Sequence, residues 1–209
     1  MPHDQDPAKW EHEILHYEKQ DRKKSPPENP VLFLGSSSVR LWRLKKFFPD
    51  HHSCCLNRGF GGSGLPDVLH FFDRLVTPYQ PKAMVFYAGE NDIGHGSNAD
   101  VVIENCHRFV ERLHHEQPRC ELLILPIKPS PTLWGKWLEI KVVNEAIAHL
   151  TEQDARVETV DTATPMLGRD GFPRPELYMR DHLHMSPVGY ALWTDLTRPW
   201  LERQLASAP

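Results

Sequence analysis

No stretch of this 209-residue chain approaches the roughly 18 consecutive apolar residues that a membrane-spanning helix needs. The N-terminal MPHDQDPAKWEHEILHYEKQDRKK is polar throughout and lacks the apolar centre of a secretory signal, so a cytoplasmic protein is expected. Cysteine is scarce. Cys54, Cys55, Cys106 and Cys120 form no C-x-x-C pair, and so long a chain does not depend on a disulfide framework; reduced, mostly buried thiols are expected. Neither sign of charge dominates. Lys+Arg 24 against Asp+Glu 28 gives a formal net charge of −4, which argues against a nucleic-acid partner. Repeats and low-complexity tracts are absent.

With 40% hydrophobic and 25% charged residues, the composition is that of one globular domain. We assign residues 1–30 to an N-terminal helical extension and 31–209 to the domain itself. One residue type is in surplus: 13 histidines, a side chain that titrates near neutrality and binds metals.

Hydrophobic patterning alternates strands with helices. Apolar runs at 31–34, 51–57, 83–89, 120–127 and 156–161 read as strands. Amphipathic or apolar helical stretches fall at 8–24, 38–48, 66–76, 99–117, 137–152 and 187–205. Continuous apolar strands separated by helices imply a parallel sheet covered on both faces, an α/β three-layer αβα sandwich with five strands. Ligands of such sheets sit beyond the carboxyl ends of the strands.

Three motifs compete for the chemistry. His12-Glu13-Ile14-Leu15-His16 fits H-E-x-x-H, the two-imidazole zinc signature. It lies in the extension with no third ligand, and Lys19 and Arg22 stand where the longer metzincin pattern needs glycine and histidine. A solvated helix face is the better reading, and no metal or other cofactor is expected. Gly59-Phe60-Gly61-Gly62-Ser63-Gly64 fits G-x-G-x-x-G between a strand and a helix. It follows the second strand, however, and the acidic partner of a dinucleotide site is missing.

The third candidate is a constellation. Gly35-Ser36-Ser37-Ser38, Gly62 and Gly89-Glu90-Asn91-Asp92 follow successive strands, and Asp181-His182-Leu183-His184 precedes the last helix. Singly these are caps and turns. Together they place a hydroxyl, amide donors and an Asp/His pair on one rim. A serine is nucleophilic only when a base removes its proton, and a helix start favours the negative charge that develops. Asp181 and His184 are close enough to act as orienter and base. The Gly62 amide and the Asn91 side chain could bind an oxyanion, each donor being worth about 3 kcal/mol. The α/β-hydrolase elbow G-x-S-x-G is absent.

VLFLGSSSVRLW, NRGFGGS, YAGENDI and DHLHMSPVGYALW resemble, in order, the four sequence blocks of the SGNH hydrolase (GDSL esterase/lipase) superfamily. The similarity is greatest to bacterial esterases and the catalytic subunits of platelet-activating-factor acetylhydrolase. It spans residues 31 to about 200. The resemblance implies a flavodoxin-like sheet and hydrolysis of a small-molecule carboxylic ester, with a short, acetyl-type acyl group. It puts the nucleophile on Ser37, the acid–base pair on Asp181 and His184, and the oxyanion donors on the Ser37 amide, Gly62 and Asn91. The sequence departs from the family at Ser36, where G-D-S-L has aspartate. His182 is then a rim residue. A non-catalytic carbohydrate- or lipid-binding module on the same fold is the alternative.

Substrate contacts are expected from Trp134 and Trp137 in the 128–137 loop and from Tyr178 in the 162–180 loop, although aromatic loops equally serve as satellite core. The N-terminal helix could fold onto its own sandwich or a neighbour's, so a homodimer is open.

Overall fold

A computed structural model describes residues 6–206; residues 1–5 of the N-terminal extension lie outside them. A 3-10 turn, Pro7–Trp10, leads into α1 (Glu11–Lys23), and Ser25 and three prolines carry the chain to β1 (Val31–Gly35). Then come α2 (Ser37–Arg40), α3 (Leu44–Phe47), β2 (Cys55–Asn57), α4 (Leu65–His70), α5 (Phe72–Leu75) and β3 (Ala83–Tyr87). The second half comprises α6 (Glu90–Gly94), α7 (Ala99–Glu116), β4 (Glu121–Ile124), α8 (Trp137–Gln153), β5 (Val157–Thr159) and α9 (Pro187–Ala206).

The sheet is five-stranded and wholly parallel, ordered β2-β1-β3-β4-β5. Every residue of β1 and β3 is buried, as a sheet covered on both faces requires. Side chains alternate across it. Leu32, Leu34, Met84, Phe86, Leu122 and Ile124 enter a core shared with α1, α4, α5, α7 and α8. Val31, Phe33, Val85, Tyr87 and Leu123 enter a second core with Trp42, Tyr190, Trp193 and Trp200 from the α2–α3 and α9 side. This is the expected three-layer sandwich. The order makes β1 and β3 neighbours across the topological switch point, where ligands of doubly wound sheets bind.

Local departures from the sequence pattern have tertiary causes. The helix expected over 38–48 is two single turns, because Trp42 leaves the helical path to bury its ring 5.4 Å from Phe33 and donate its indole N–H to Thr194 at 3.0 Å. The helix expected over 66–76 breaks at Phe71. Consecutive residues of an α-helix diverge by about 100°, and the break lets Phe71 and Phe72 both enter the core. Strand β4 stops before Pro126, which cannot donate to the ladder. Strands β2 and β5 shrink to three residues each.

Helix α1 folds onto its own sandwich. Trp10 and Ile14 are buried in the first core, while Arg74 reaches Glu11 at 2.8 Å and Glu18 at 2.7 Å. Among the described residues, Cys55, Cys106 and Cys120 are buried, Cys54 is exposed and all four are free. No described helix is long and apolar enough to cross a membrane.

Candidate active site

Strand β1 delivers Ser37 to the rim. Gly35, at φ +142°, passes so close to β3 that a Cβ would lie 1.8 Å from the Tyr87 carbonyl oxygen, so no other residue fits. The Ser36 amide donates to that carbonyl at 3.1 Å, and Ser37 opens α2. With a single turn, α2 lends little macrodipole to Ser37, less than the long helix read from the sequence would have given.

Asp181 and His184 lie in a turn ahead of α9, which begins only at Pro187. Asp181 Oδ1 accepts the Leu183 and His184 amides at 3.0 and 2.9 Å, which fixes the turn. Its other oxygen, Oδ2, is 2.7 Å from His184 Nδ1, and His184 Nε2 is 3.0 Å from Ser37 Oγ. Burial works to raise the Asp181 pKa, but the hydrogen bonds from His184 and the two amides prevail and hold it at about 2. A carboxylate so fixed keeps Nδ1 protonated and leaves Nε2 as the acceptor facing the serine.

The other two serines have different partners. Ser38 Oγ accepts from Lys128 at 3.2 Å, and Ser36 Oγ is buried with no hydrogen-bond partner among the described residues. His182 is exposed in the left-handed region at φ 57°. Its carbonyl accepts the Thr132 amide at 3.2 Å; its place is on the rim.

The glycine loop lies against α2. A Cβ at Gly59 would meet the Arg40 amide nitrogen at 2.4 Å, and one at Gly61 would meet the Arg40 guanidinium at 2.8 Å. These glycines therefore serve close packing. Gly62, at φ +78°, faces open space. Asn91 sits in the first turn of α6 and donates one side-chain N–H to the Ser63 carbonyl at 2.9 Å, so its second N–H remains to be directed elsewhere. Next to it, both Asp92 oxygens lie 3.1 Å from the Leu65 amide, and burial raises its pKa to about 6.

Behind these groups runs a buried network that sequence reasoning missed. Lys128 is fully buried and donates to Glu90 Oε2, to Ser38 Oγ at 3.2 Å and to the Tyr87 hydroxyl at 3.3 Å. Burial pushes the Lys128 pKa down, and Glu90 opposes that push. The pair joins the residue after Ser37 to the residue before Asn91. The only local signal was a lysine directly after an apolar strand run, LLILPIK.

The aromatic loops divide. Trp134 stacks on Trp137 at 5.8 Å and 18° and lies 5.4 Å from Phe172, which is exposed. Thr132 ties their loop to the Asp181 carbonyl at 3.0 Å. Tyr178, expected to face substrate, is instead buried in the second core, with its hydroxyl on the Pro129 carbonyl at 2.7 Å. A surface hollow of about 780 Å³, lined by His70, Arg108 and Arg112, contains none of these residues.

In the H-E-x-x-H segment, His12 Nδ1 is on the Lys9 carbonyl at 3.1 Å and His16 Nε2 is on Gln20 at 2.8 Å. Glu13 turns to Arg40, 3.6 Å away. Among the described residues no three His, Cys, Asp or Glu side chains are grouped to hold a metal ion.

Comparison with known proteins adds a family. No curated protein sequence matches the chain significantly. A Streptococcus pneumonia protein named for platelet activating factor shares the fold at TM-score 0.81 and 22% identity, over 93% of this chain and 94% of its own. A GDSL-like lipase of Bacteroides thetaiotaomicron follows at 0.76 and 21%, over 91% and 97%. An acetyl-xylooligosaccharide esterase from Geobacillus superposes at 0.67 with 14% identity, over 88% and 97%. The sequence model of GDSL-like lipases and acylhydrolases matches residues 41–192, a span that holds Gly62, Asn91, Asp181 and His184 and begins after Ser37. The chain belongs to the GDSL-like lipase/acylhydrolase family and is a carboxylic ester hydrolase.

Proposed function

We propose that the chain is a serine esterase that removes short, acetyl-type acyl groups, with Ser37 as nucleophile, His184 as base and Asp181 as its orienter. The observation that carries this reading is the continuous path from Ser37 Oγ through His184, with steps of 3.0 and 2.7 Å, to Asp181. Ser37 Oγ attacks the ester carbonyl as its proton passes to His184 Nε2. The carbonyl oxygen becomes an oxyanion, received by the Ser37 and Gly62 amides and the free Asn91 side-chain N–H. Collapse of the tetrahedral adduct expels the alcohol, which takes the proton from His184, and leaves an acyl-Ser37 ester. Water then attacks this ester with His184 again as base, releasing the acid and restoring Ser37. No cofactor enters these steps.

The acyl preference is supported by the acetyl-ester name of one structural neighbour. For the alcohol side, Trp134, on the loop that Thr132 fastens to the Asp181 segment, and the exposed Phe172 of that segment offer an aromatic wall. One experiment tests both parts. Aryl esters from acetyl to octanoyl should be hydrolysed with kcat/KM falling as the chain lengthens, and Ser37→Ala should abolish turnover of all of them. A fluorophosphonate should label the Ser37 peptide alone. Turnover that survives Ser37→Ala overturns the mechanism, and a preference for octanoyl overturns the acyl assignment.

A further inference from the structure

The peptide unit joining Gly61 to Gly62 contains both the Gly61 carbonyl and the Gly62 N–H. It is planar and trans, so the two point in opposite directions, and whatever fixes the carbonyl fixes the N–H. Flanked by two glycines, it is also the unit of the loop with the least steric resistance to rotation. Its carbonyl accepts a hydrogen bond from the indole Nε1 of Trp10 at 2.7 Å. That indole is buried, edge-on to Phe60 with centroids 6.1 Å apart.

Helix α1, which follows Trp10, holds the same loop. Glu13 Oε2 lies 3.4 Å from the Gly61 amide nitrogen, the Tyr17 hydroxyl donates to the Gly59 carbonyl, and Asp21 pairs with Arg58. Gly62 itself faces open space at positive φ. Loop, turn and helix together form a clamp: Trp10 grips the back of the Gly61–Gly62 peptide, α1 holds the loop beside it, and the N–H emerges on the other side.

We propose that Trp10 is a positioning residue for ester hydrolysis, holding the Gly61–Gly62 peptide so that the Gly62 N–H stays aimed at the oxyanion. This inference rests on the oxyanion role given to Gly62 above. Donation to the carbonyl also polarises the peptide and makes its N–H a stronger donor. Trp10 lies in the N-terminal segment, ahead of the span that the family model matches. The H-E-x-x-H glutamate acquires a place in it, as an acceptor for the loop in company with Arg40.

The test replaces Trp10 in the full chain by 3-benzothienylalanine, an isostere with sulfur in place of the N–H, alongside Trp10→Phe. With an aryl acetate as substrate, the isostere should lower kcat about 10-fold, the value of one lost neutral hydrogen bond. KM should change by less than about two-fold, the signature of an interaction that matters only in the transition state. In a Gly62→Ala background, where φ +78° strains the donor already, the isostere should cost little more. Wild-type kcat in the isostere, or a rise in KM with kcat unchanged, overturns the proposal even if Trp10→Phe fails to fold. Ser37→Ala separates the two levels: loss of turnover there with wild-type kcat in the isostere leaves the serine mechanism standing and removes only Trp10.

Discussion

Asp181 Oδ1 is occupied by two backbone amides and Oδ2 by His184, so the carboxylate shapes the turn and selects the imidazole tautomer at once. An amide in its place would present an N–H to Nδ1 and favour the wrong tautomer. Asp181→Asn should therefore lower kcat about 10⁴-fold while leaving the fold intact, measured by ester turnover and circular dichroism. Because the pKa of Asp181 is held at about 2, its contribution to stability is complete above the unfolded value of about 3.9 and is lost only as pH falls through about 2. Asp92 has the opposite sign. Burial, with Asp67 adding repulsion against the help of Leu65 and His95, raises it to about 6. The stability it contributes is complete below about pH 3.9 and declines as pH rises through about 6. Asp92→Asn should consequently compare better with wild type at pH 7 than at pH 4.5, which urea unfolding at the two values will show; an equal difference at both would refute the assignment. The juxtaposition of Ser37, Asp181 and His184 was legible because the three residues come in short blocks of fixed spacing. Trp10 and Lys128 were not, since an indole N–H or an ammonium declares its partner only once distant segments meet.

At the level of elements, the switch point between β1 and β3 decides what meets what. The start of α2 after β1 carries Ser37 and Ser38, the start of α6 after β3 carries Glu90 and Asn91, and Lys128, beyond the end of β4, joins them. A buried ion pair is weak evidence of stability as a pair, yet loss of one partner leaves an uncompensated charge. Glu90→Gln should cost about 3–5 kcal/mol, whereas Glu90→Leu with Lys128→Met should recover much of that loss. Denaturant midpoints decide the matter: a single variant as stable as wild type would mean that Lys128 finds another partner. The strands and the long helices α7, α8 and α9 were readable from apolar runs and 3.6-residue periodicity. The breaks at Trp42 and Phe71 were not, because the periodicity continues through them while the core claims both rings.

For the whole molecule, regular structure and candidate chemistry are unequally secured. The central strands are buried on both faces between two cores, so their amides exchange with solvent only through global unfolding. The segment from 162 to 186, which carries Asp181 and His184, has two 3-10 turns, Thr164–Met166 and Pro175–Leu177, and isolated bridges at Leu167–Pro173 and Tyr178–Met185. Such a segment opens locally at a fraction of the global cost. Its anchors are buried Met166, Leu177, Tyr178 and Met185 on one side and Thr132 on the other. Hydrogen exchange followed by mass spectrometry should therefore show the peptide over 167–184 exchanging well before those over β1 and β3. On the proposed mechanism, fluorophosphonate attached at Ser37 should slow that peptide selectively, since its phosphoryl group would fill the space that His184 faces. Equal protection of the segment and the central strands would mean that the anchors lock the loop as firmly as the sheet, and that the Asp181–His184 turn is part of the global folding unit.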